Sequence, residues 1–315
     1  MKKKRFELPD ELQFIVIGRL PQKQSAESMD GKVCVITGTT SGVGYQAATR
    51  LAKAGARIVM VVRNREKAEK LCAEIRSDSS QTPDYYVADF SRLEEVRKAA
   101  FAILAKYPRI DVLINNAGVH MTTRQLTEDG NEMAFGVNHL ASFLFTSLLL
   151  KRMVESSPSR IIYVNSEGHR FNGLKINNLT WANRRYKGLS GYGASKTAQL
   201  MTIWELNDLV KGKGVTINAM HPGAVKSNIG HNNGILYNLY SRILIQPMLK
   251  NPKVSGEAIY YLASSPDMEG VTGKFFNLTN EETPAPHAMN RDLGKRIFEI
   301  SKVLTHLDKD NHYEI

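Results

Sequence analysis

Apolar and polar positions follow two alternating patterns along most of the chain. From residue 32 onward, short runs rich in Val and Ile separate longer stretches in which apolar positions recur at helical spacing. The short runs predict strands over 32–37, 57–62, 84–88, 111–115, 160–165, 215–220 and 274–277. The longer stretches predict helices over 42–54, 66–75, 93–106, 131–155, 191–211, 253–265 and 289–307. Because strands that lack a polar face are covered on both sides, the pattern predicts an α/β fold with a doubly wound parallel sheet and helices on both faces.

The two ends of the chain depart from this alternation. Residues 1–29 are charged, then briefly apolar, then polar, which predicts an N-terminal extension. A single domain is predicted over 30–280, followed by a C-terminal helical extension over 281–315. Within the domain, residues 224–252 form an apolar insertion that we predict to be a substrate lid. Its most apolar part, 234–249, also suits packing against the core or a subunit partner, or contact with a membrane surface.

Composition narrows the classes of function. The 315 residues carry a formal net charge of +11, which alone would suit a nucleic-acid or membrane binder, but no recognition motif accompanies it. The cysteines and histidines show no spacing typical of disulfide frameworks or metal sites. No apolar run approaches the roughly 20 residues that span a bilayer, and no leader peptide is recognisable. We expect a cytoplasmic protein without metal, nucleic-acid partner or transmembrane segment.

A glycine-rich turn joins the first predicted strand to the first predicted helix. It reads Thr37-Gly38-Thr39-Thr40-Ser41-Gly42-Val43-Gly44. Glycines allow a tight turn and a close approach of the backbone to a pyrophosphate, and the positive end of the helix then faces the negative charge. Glycine turns also occur without a ligand, but the position between strand and helix favours a Rossmann-type dinucleotide site.

Tyr192 and Lys196 lie four residues apart in the segment 191–196. On a helix, this spacing places both side chains on one face. An ammonium beside a phenol favours the phenolate, so we expect Lys196 to lower the pKa of Tyr192. Such a tyrosine can exchange protons near neutral pH. The pair therefore predicts an acid/base centre.

Several motifs in order make the chain resemble the short-chain dehydrogenase/reductase family, in its compact single-domain form. The resemblance runs from residue 32 to about 280 and rests on the glycine turn, A-D-F-S at Asp89, N-N-A-G at 115–118, Asn138, Ser166, Tyr192 with Lys196, and H-P-G at 221–223. F-G-V-N-H-L-A-S-F-L-F and H-P-G-A-V-K-S-N-I are most similar to the retinol dehydrogenase-like group. The resemblance implies a Rossmann fold with a nicotinamide cofactor.

The same resemblance implies a catalytic tetrad of Asn138, Ser166, Tyr192 and Lys196. Ser166 would hold the substrate oxygen beside Tyr192, which gives or takes the proton. Lys196 would bind the nicotinamide ribose, and Asn138 would tie a water to Lys196 and relay protons. Singly, each residue also suits an ordinary role as a turn, helix or surface residue.

The resemblance further implies the residues that bind the cofactor. They are Gly38, Thr40, Ser41, Gly42, Val43, Gly44, Arg63, Asn64, Asp89, Phe90, Asn116, Ala117, Gly118, Tyr192, Lys196, Pro222, Gly223, Val225 and Ser227. Val62 stands where an NAD-binding site usually offers an acid, and Arg63 follows it. A guanidinium matches phosphate geometry, so we predict a preference for NADP(H), with NAD(H) left open.

These features predict an NADP(H)-dependent oxidoreductase that interconverts a carbonyl and an alcohol on a bulky, lipophilic substrate. Retinoids, steroids and other ketones or aldehydes are the substrate classes of the related group. The alternatives are an enzyme like the 3-oxoacyl carrier-protein reductases and a non-catalytic NADP-sensing Rossmann protein. By analogy with the family, the chain is expected to form a homodimer or homotetramer.

Overall fold

The computed structural model describes residues 16–79, 82–225, 229–230, 233 and 249–309. Its strands form one eight-stranded sheet in the order β3-β2-β1-β4-β5-β6-β7-β8. The strands are β1 (Val33–Thr37), β2 (Arg57–Val62), β3 (Asp84–Val87), β4 (Val112–Asn115), β5 (Ser159–Val164), β6 (Val215–His221), β7 (Phe275–Asn277) and β8 (Asn280–Glu282). Strands β1 to β7 are parallel, which confirms the predicted doubly wound α/β sheet.

Helices cover both faces of the sheet. They are α1 (Gly42–Lys53), α2 (Arg65–Asp78), α3 (Leu93–Lys106), α4 (Ser142–Glu155), α5 (Gly188–Leu209), α6 (Lys253–Ser264) and α7 (Arg291–Leu304). Short 3₁₀ segments occupy Glu167–Phe171, Ile176–Asn178, Pro266–Met268, Pro286–Met289 and Leu307–Lys309. None of the helices in the described part of the chain is both long and apolar enough to cross a bilayer.

The core consists of two apolar layers, one on each side of the sheet. Because successive side chains of a strand point to opposite faces, Val35 joins the layer under α3, α4, α5 and α7, while Cys34 and Ile36 join the layer under α1, α2 and α6. Burying one such aliphatic side chain contributes about 1.5–3 kcal/mol. Burial on both sides explains why the strands read as unbroken apolar runs.

The helix predicted over 131–155 contains a wider turn. Residues Phe135–Ala141 form a π-helical segment that continues directly into α4. The Ser142 hydroxyl donates to the carbonyls of Asn138 (2.8 Å) and His139 (3.0 Å), which satisfies acceptors at the junction. Segments of this kind interrupt α-helices most often at functional sites. Here the segment carries Asn138.

Strand β8 was not predicted from the sequence pattern. It runs antiparallel to β7, with Phe275 opposite Glu282, and the turn between them places Leu278 at φ 57°. A positive φ is strained for a leucine, and the segment Asn280–Glu282 has little strand propensity. The strand forms because the tertiary structure provides a partner for its buried end residue, Glu282, as described below.

Candidate active site

A cavity of about 530 Å³ opens at the carboxyl ends of the parallel strands. In a doubly wound sheet this edge, where the chain order reverses beside β1 and β4, is where ligands bind. Most of the predicted site residues line the cavity, namely Gly38, Thr40, Ser41, Gly42, Val43, Arg63, Asp89, Phe90, Asn116, Ala117, Gly118, Ser166, Tyr192, Lys196, Pro222, Gly223 and Val225.

The glycine turn leads into α1 at one end of this cavity. Gly38 has φ +71°, and a Cβ there would lie 2.9 Å from the Cα of Ala117. Gly44 does not line the cavity but lies beneath the turn, where a Cβ would collide with the Gly38 carbonyl and the Asn116 amide. Ser41 is the N-cap residue of α1, and its side chain makes no capping hydrogen bond. The first N–H groups of the helix are therefore left without a hydrogen bond from the Ser41 side chain and lie at the cavity.

Asn116 holds the turn in place. Its Nδ2 donates to the carbonyls of Thr37 and Gly38, both at 2.9 Å. The Thr37 hydroxyl in turn accepts from the backbone N–H groups of Asn116 and Ala117, also at 2.9 Å. The N-N-A-G segment after β4 is thereby fastened to the turn after β1, which keeps the helix end open toward the cavity.

A cationic pair borders the cavity at the end of β2. Val62 is buried, and Arg63 and Lys67 both line the cavity beside it. Asn64 does not line it; its side chain caps α2 by accepting from the Lys67 N–H at 2.8 Å. Asp89 accepts from the N–H and hydroxyl of Ser91, both at 2.9 Å, which orders the next loop. This end of the cavity therefore carries positive charge and no carboxylate at position 62.

The residues present fit a nicotinamide dinucleotide. The open N-terminus of α1 suits a pyrophosphate, the loops after β2 and β3 suit an adenosine, and Pro222, Gly223 and Val225 line the far end. Gly223 has φ +81°, a conformation that favours glycine. Ser227 lies outside the described residues.

The catalytic candidates meet between β5 and α5. Ser166 follows β5, and its hydroxyl accepts from the Gly168 N–H at 3.0 Å and faces Tyr192. Lys196 is almost completely buried, and its Nζ donates to the Val164 carbonyl at 2.9 Å. The same Nζ lies 5.9 Å from the centre of the Tyr192 ring, on the face expected from the helical spacing.

Burial dominates the protonation of this pair. Burial raises the pKa of Tyr192, and the hydrogen bond with Ser166 opposes that rise. Burial lowers the pKa of Lys196 to about 7. The sequence predicts that Lys196 lowers the pKa of Tyr192; in the described protein this prediction is wrong, because the ammonium turns to the Val164 carbonyl and is itself disfavoured by burial. Burial therefore favours the neutral, protonated form of Tyr192.

Asn138 lies behind the cavity wall, not in it. Its side chain accepts from the Val119 N–H (2.7 Å) and donates to the Val119 carbonyl (3.0 Å) and the Ser195 hydroxyl (2.9 Å). Its backbone carbonyl accepts from the side-chain amide of Gln199 at 2.7 Å. The structure thus brings Ser166, Tyr192 and Lys196 together at the cavity and joins Asn138 to them through a residue that the motifs did not indicate.

Sequence reasoning missed several further residues that line the cavity. They are Val61, Lys67, Ala88, Ser91, Val119, Met121, Gln125, Met133, Val137, Val164, Asn165 and Ile229. Six of them lie at or just after the carboxyl end of a strand, namely Val61, Ala88, Ser91, Val119, Val164 and Asn165, and that position is the signal that could have found those six. His120 also contacts the site, with its ring 5.7 Å from that of Tyr192 at an angle of 80°.

Only a few residues of the predicted lid are described. Ile229 lines the cavity, and its carbonyl accepts from the His120 N–H at 2.9 Å. Val225 pairs with Lys250 in an isolated bridge. Residues 234–248 lie outside the described residues, so the three interpretations of the apolar stretch remain predictions.

A buried ionic cluster fixes the segment that follows Ser166. Arg170 Nε contacts Glu167 Oε2, and Arg170 Nη2 contacts Glu282 Oε1, both at 2.5 Å. Arg170 Nη2 also donates to the Thr283 carbonyl at 2.8 Å. One guanidinium thus faces two buried carboxylates and ties strand β8 to the loop beside Ser166. Burial, followed by repulsion from Glu282, raises the pKa of Glu167 to about 7.

We expect the Glu167→Gln variant to gain stability over the parent as pH rises. A carboxyl whose pKa is raised on folding stabilises the folded protein fully when the pH is below the pKa of the unfolded chain, near 4.3. That contribution to the free energy of unfolding is lost as the pH rises toward 7. Gln is not subject to this loss, so the difference in unfolding free energy should grow between pH 5 and pH 8 to at most about 3 kcal/mol. Urea titrations at both values measure it; a difference independent of pH would contradict the assignment.

The family model of the short chain dehydrogenases matches residues 32–235, which include the glycine turn, Ser166, Tyr192 and Lys196. The chain belongs to the short-chain dehydrogenase family. Within that family it belongs to the retinol dehydrogenase-like group. It is 34% identical over 303 residues to retinol dehydrogenase 13 of Homo sapiens, covering 94% of this chain and 90% of that protein.

Further relatives and solved structures are similar to this short-chain dehydrogenase. Retinol dehydrogenase 14 of Homo sapiens is 36% identical over 303 residues, covering 89% of this chain and 88% of that protein. An uncharacterized protein from Mycobacterium paratuberculosis has a similar crystal structure, with TM-score 0.73 and 27% identity over 91% of this chain and 98% of that chain. A short chain dehydrogenase from Shigella flexneri, complexed with NADP, shares the fold with TM-score 0.64 and 22% identity, covering 81% of this chain and 99% of that chain.

Proposed function

We propose that this short-chain dehydrogenase is an NADP(H)-dependent oxidoreductase that interconverts a carbonyl and an alcohol on a bulky, lipophilic substrate. One observation carries the proposal: Ser166, Tyr192 and Lys196 line the same cavity as the glycine turn. A proton donor, an anchor for the substrate oxygen and a dinucleotide cradle are the parts that this chemistry needs.

The residues of the site divide the work between them. The Ser166 hydroxyl orients the substrate oxygen toward Tyr192. Tyr192 gives its proton to that oxygen during reduction and takes one during oxidation. Lys196, whose pKa burial lowers to about 7, is able to exchange a proton with Tyr192 near neutral pH. A bound nicotinamide supplies the hydride in one direction and accepts it in the other.

The cationic end of the cavity supports the preference for NADP(H). A ribose 2′-phosphate requires positive charge, whereas a 2′-hydroxyl is usually met by a carboxylate. Val62 occupies the position of that carboxylate, and Arg63 and Lys67 line the cavity next to it. Arg63 would hold the phosphate by paired hydrogen bonds, and Lys67 would add a point charge.

The Arg63→Ala variant should discriminate the two cofactors. A hydrogen bond to a charged group contributes about 1.5–3 kcal/mol, so the KM for NADPH should rise about 10- to 100-fold while the KM for NADH changes little. Arg65→Ala is the matched control, since Arg65 is exposed, bonds the Tyr85 hydroxyl at 3.3 Å and does not line the cavity. An equal rise for both cofactors would refute the phosphate role.

Apolar side chains along the cavity support a lipophilic substrate. The apolar lining includes Met121, Met133, Val137 and Ile229. Retinol dehydrogenases 13 and 14 of Homo sapiens, to which this chain is similar, support the same substrate class. Consumption of NADPH should be screened against retinals, steroid ketones, quinones, small ketones and a 3-oxoacyl carrier protein. Turnover confined to the carrier-bound substrate would favour the reductase alternative. Tight binding of NADPH without turnover of any substrate would favour a cofactor sensor.

A further inference from the structure

Gln199 is a buried amide on α5, one turn beyond Lys196, and 1% of its surface is exposed. All of its hydrogen-bonding partners described here belong to the catalytic group or adjoin it. A buried amide needs a partner for each polar atom, because an unpaired one costs about 1–3 kcal/mol. The identities of these partners therefore indicate what Gln199 holds in place.

The side-chain oxygen of Gln199 faces donors. It accepts from Asn165 Nδ2 at 2.8 Å and lies 3.5 Å from Lys196 Nζ. Asn165 continues this link, since its Oδ1 accepts from the Ser166 N–H at 2.8 Å and its Nδ2 also donates to the Lys196 carbonyl at 3.1 Å. The Gln199 carbonyl thus faces the Lys196 ammonium directly. It is also linked to the backbone of Ser166 by the hydrogen bonds of Asn165.

The side-chain nitrogen of Gln199 faces acceptors. It donates to the Asn138 carbonyl at 2.7 Å and to the Ser142 hydroxyl at 3.2 Å, both in the π-helical region. A flipped amide would set its NH₂ against an ammonium and its oxygen against a carbonyl, so the neighbours permit one orientation. This orientation joins Asn138 to Lys196 through a side chain, where the family resemblance implies a water.

We propose that Gln199 is a positioning residue that links the Asn138 carbonyl to Lys196 and holds the Lys196 ammonium in place for proton exchange with Tyr192. The proposal rests on the proposed oxidoreductase function for its catalytic meaning, but its electrostatic part concerns the folded chain alone. In the described part of the chain Lys196 forms no ion pair, and Tyr192 is the titratable side chain it faces. Among the described residues, the Gln199 side-chain oxygen at 3.5 Å is the second oxygen that faces the ammonium, after the Val164 carbonyl at 2.9 Å.

Two substitutions at Gln199 should move the Lys196 pKa in opposite directions. In Gln199→Glu, a carboxylate near Nζ favours the ammonium and disfavours the Tyr192 phenolate, so both pKa values rise, by at least about one. In Gln199→Met, the ammonium loses the facing carbonyl, its pKa falls, and kcat drops about tenfold. Thr202→Val is the matched control, because within the described residues its buried hydroxyl bonds only the α5 carbonyls of Ala198 (3.3 Å) and Gln199 (3.1 Å).

Two readouts separate this inference from the proposed function. Carbon-13 NMR of labelled lysine, in protein without cofactor, measures the pKa of Lys196 directly, with its signal assigned through Lys196→Arg. The pH profile of kcat for alcohol oxidation should show its acidic limb at higher pH in Gln199→Glu. The inference is overturned if the Lys196 pKa is unchanged in both Gln199 variants or moves in the same direction in both. It is also overturned if the Lys196 pKa shifts as much in Thr202→Val as in the Gln199 variants. Absence of turnover in the parent enzyme with every substrate would instead overturn the proposed function.

Discussion

Replacing Tyr192 with Phe should reduce turnover at least 10²- to 10⁴-fold while the folded protein still binds NADPH. In the proposed mechanism the Tyr192 hydroxyl, which faces Ser166, exchanges a proton with the substrate oxygen, and Phe lacks that hydroxyl. Phe keeps the ring that packs against His120, at 5.7 Å between centroids, so the cavity shape is retained. Steady-state kcat and the fluorescence of bound NADPH measure the two quantities separately.

Tyr163→Phe is the control for this experiment. Its hydroxyl is buried in β5 and donates to the Thr146 hydroxyl at 2.6 Å, away from the cavity. Loss of that bond should cost about 1 kcal/mol of unfolding free energy and leave turnover intact. If Tyr192→Phe turned over as fast as Tyr163→Phe, the assignment of Tyr192 as acid/base would be wrong.

The second large effect concerns stability. Arg170→Met should lower the unfolding free energy by about 3–5 kcal/mol, because it leaves the carboxylates of Glu167 and Glu282 buried without a counter-charge. The side chains of all three residues are at most 6% exposed, so water cannot replace the guanidinium. Urea unfolding followed by circular dichroism measures the loss.

A charge-neutral variant shows whether unpaired charge causes that loss. Adding Glu167→Gln and Glu282→Gln to Arg170→Met removes both carboxylates and should recover much of the stability, since a buried cluster without charge is far less costly. An equally unstable triple variant would show that lost packing around Arg170, not unpaired charge, is responsible. Because the cluster adjoins Ser166, the single variant should also weaken the order of the loop that presents it.

Local spacing was sufficient to predict much of this protein. The strands of the parallel sheet, the glycine turn between β1 and α1, and the placement of Tyr192 and Lys196 on one helical face depend on residues that are neighbours along the chain. Hydrophobic periodicity and the steric needs of glycine are properties of such short segments, so they are readable without a fold.

Contacts between distant segments decided the rest. Gln199 meets Asn138 and Asn165 because α5 crosses the π-helical segment and the end of β5, and no spacing along the chain encodes that meeting. Strand β8 forms because Glu282 contacts Arg170, 112 residues earlier in the chain, although its own sequence has little strand propensity.

The protonation of the catalytic pair was likewise a tertiary outcome. The spacing of Tyr192 and Lys196 predicts that the lysine lowers the tyrosine pKa, but burial raises the pKa of Tyr192 and lowers that of Lys196. The sequence by itself determined which groups carry the chemistry and which helix presents them. Only the tertiary structure decided how deeply they are buried and which partners they meet, because desolvation and long-range hydrogen bonds arise only when the sheet and its helices have assembled.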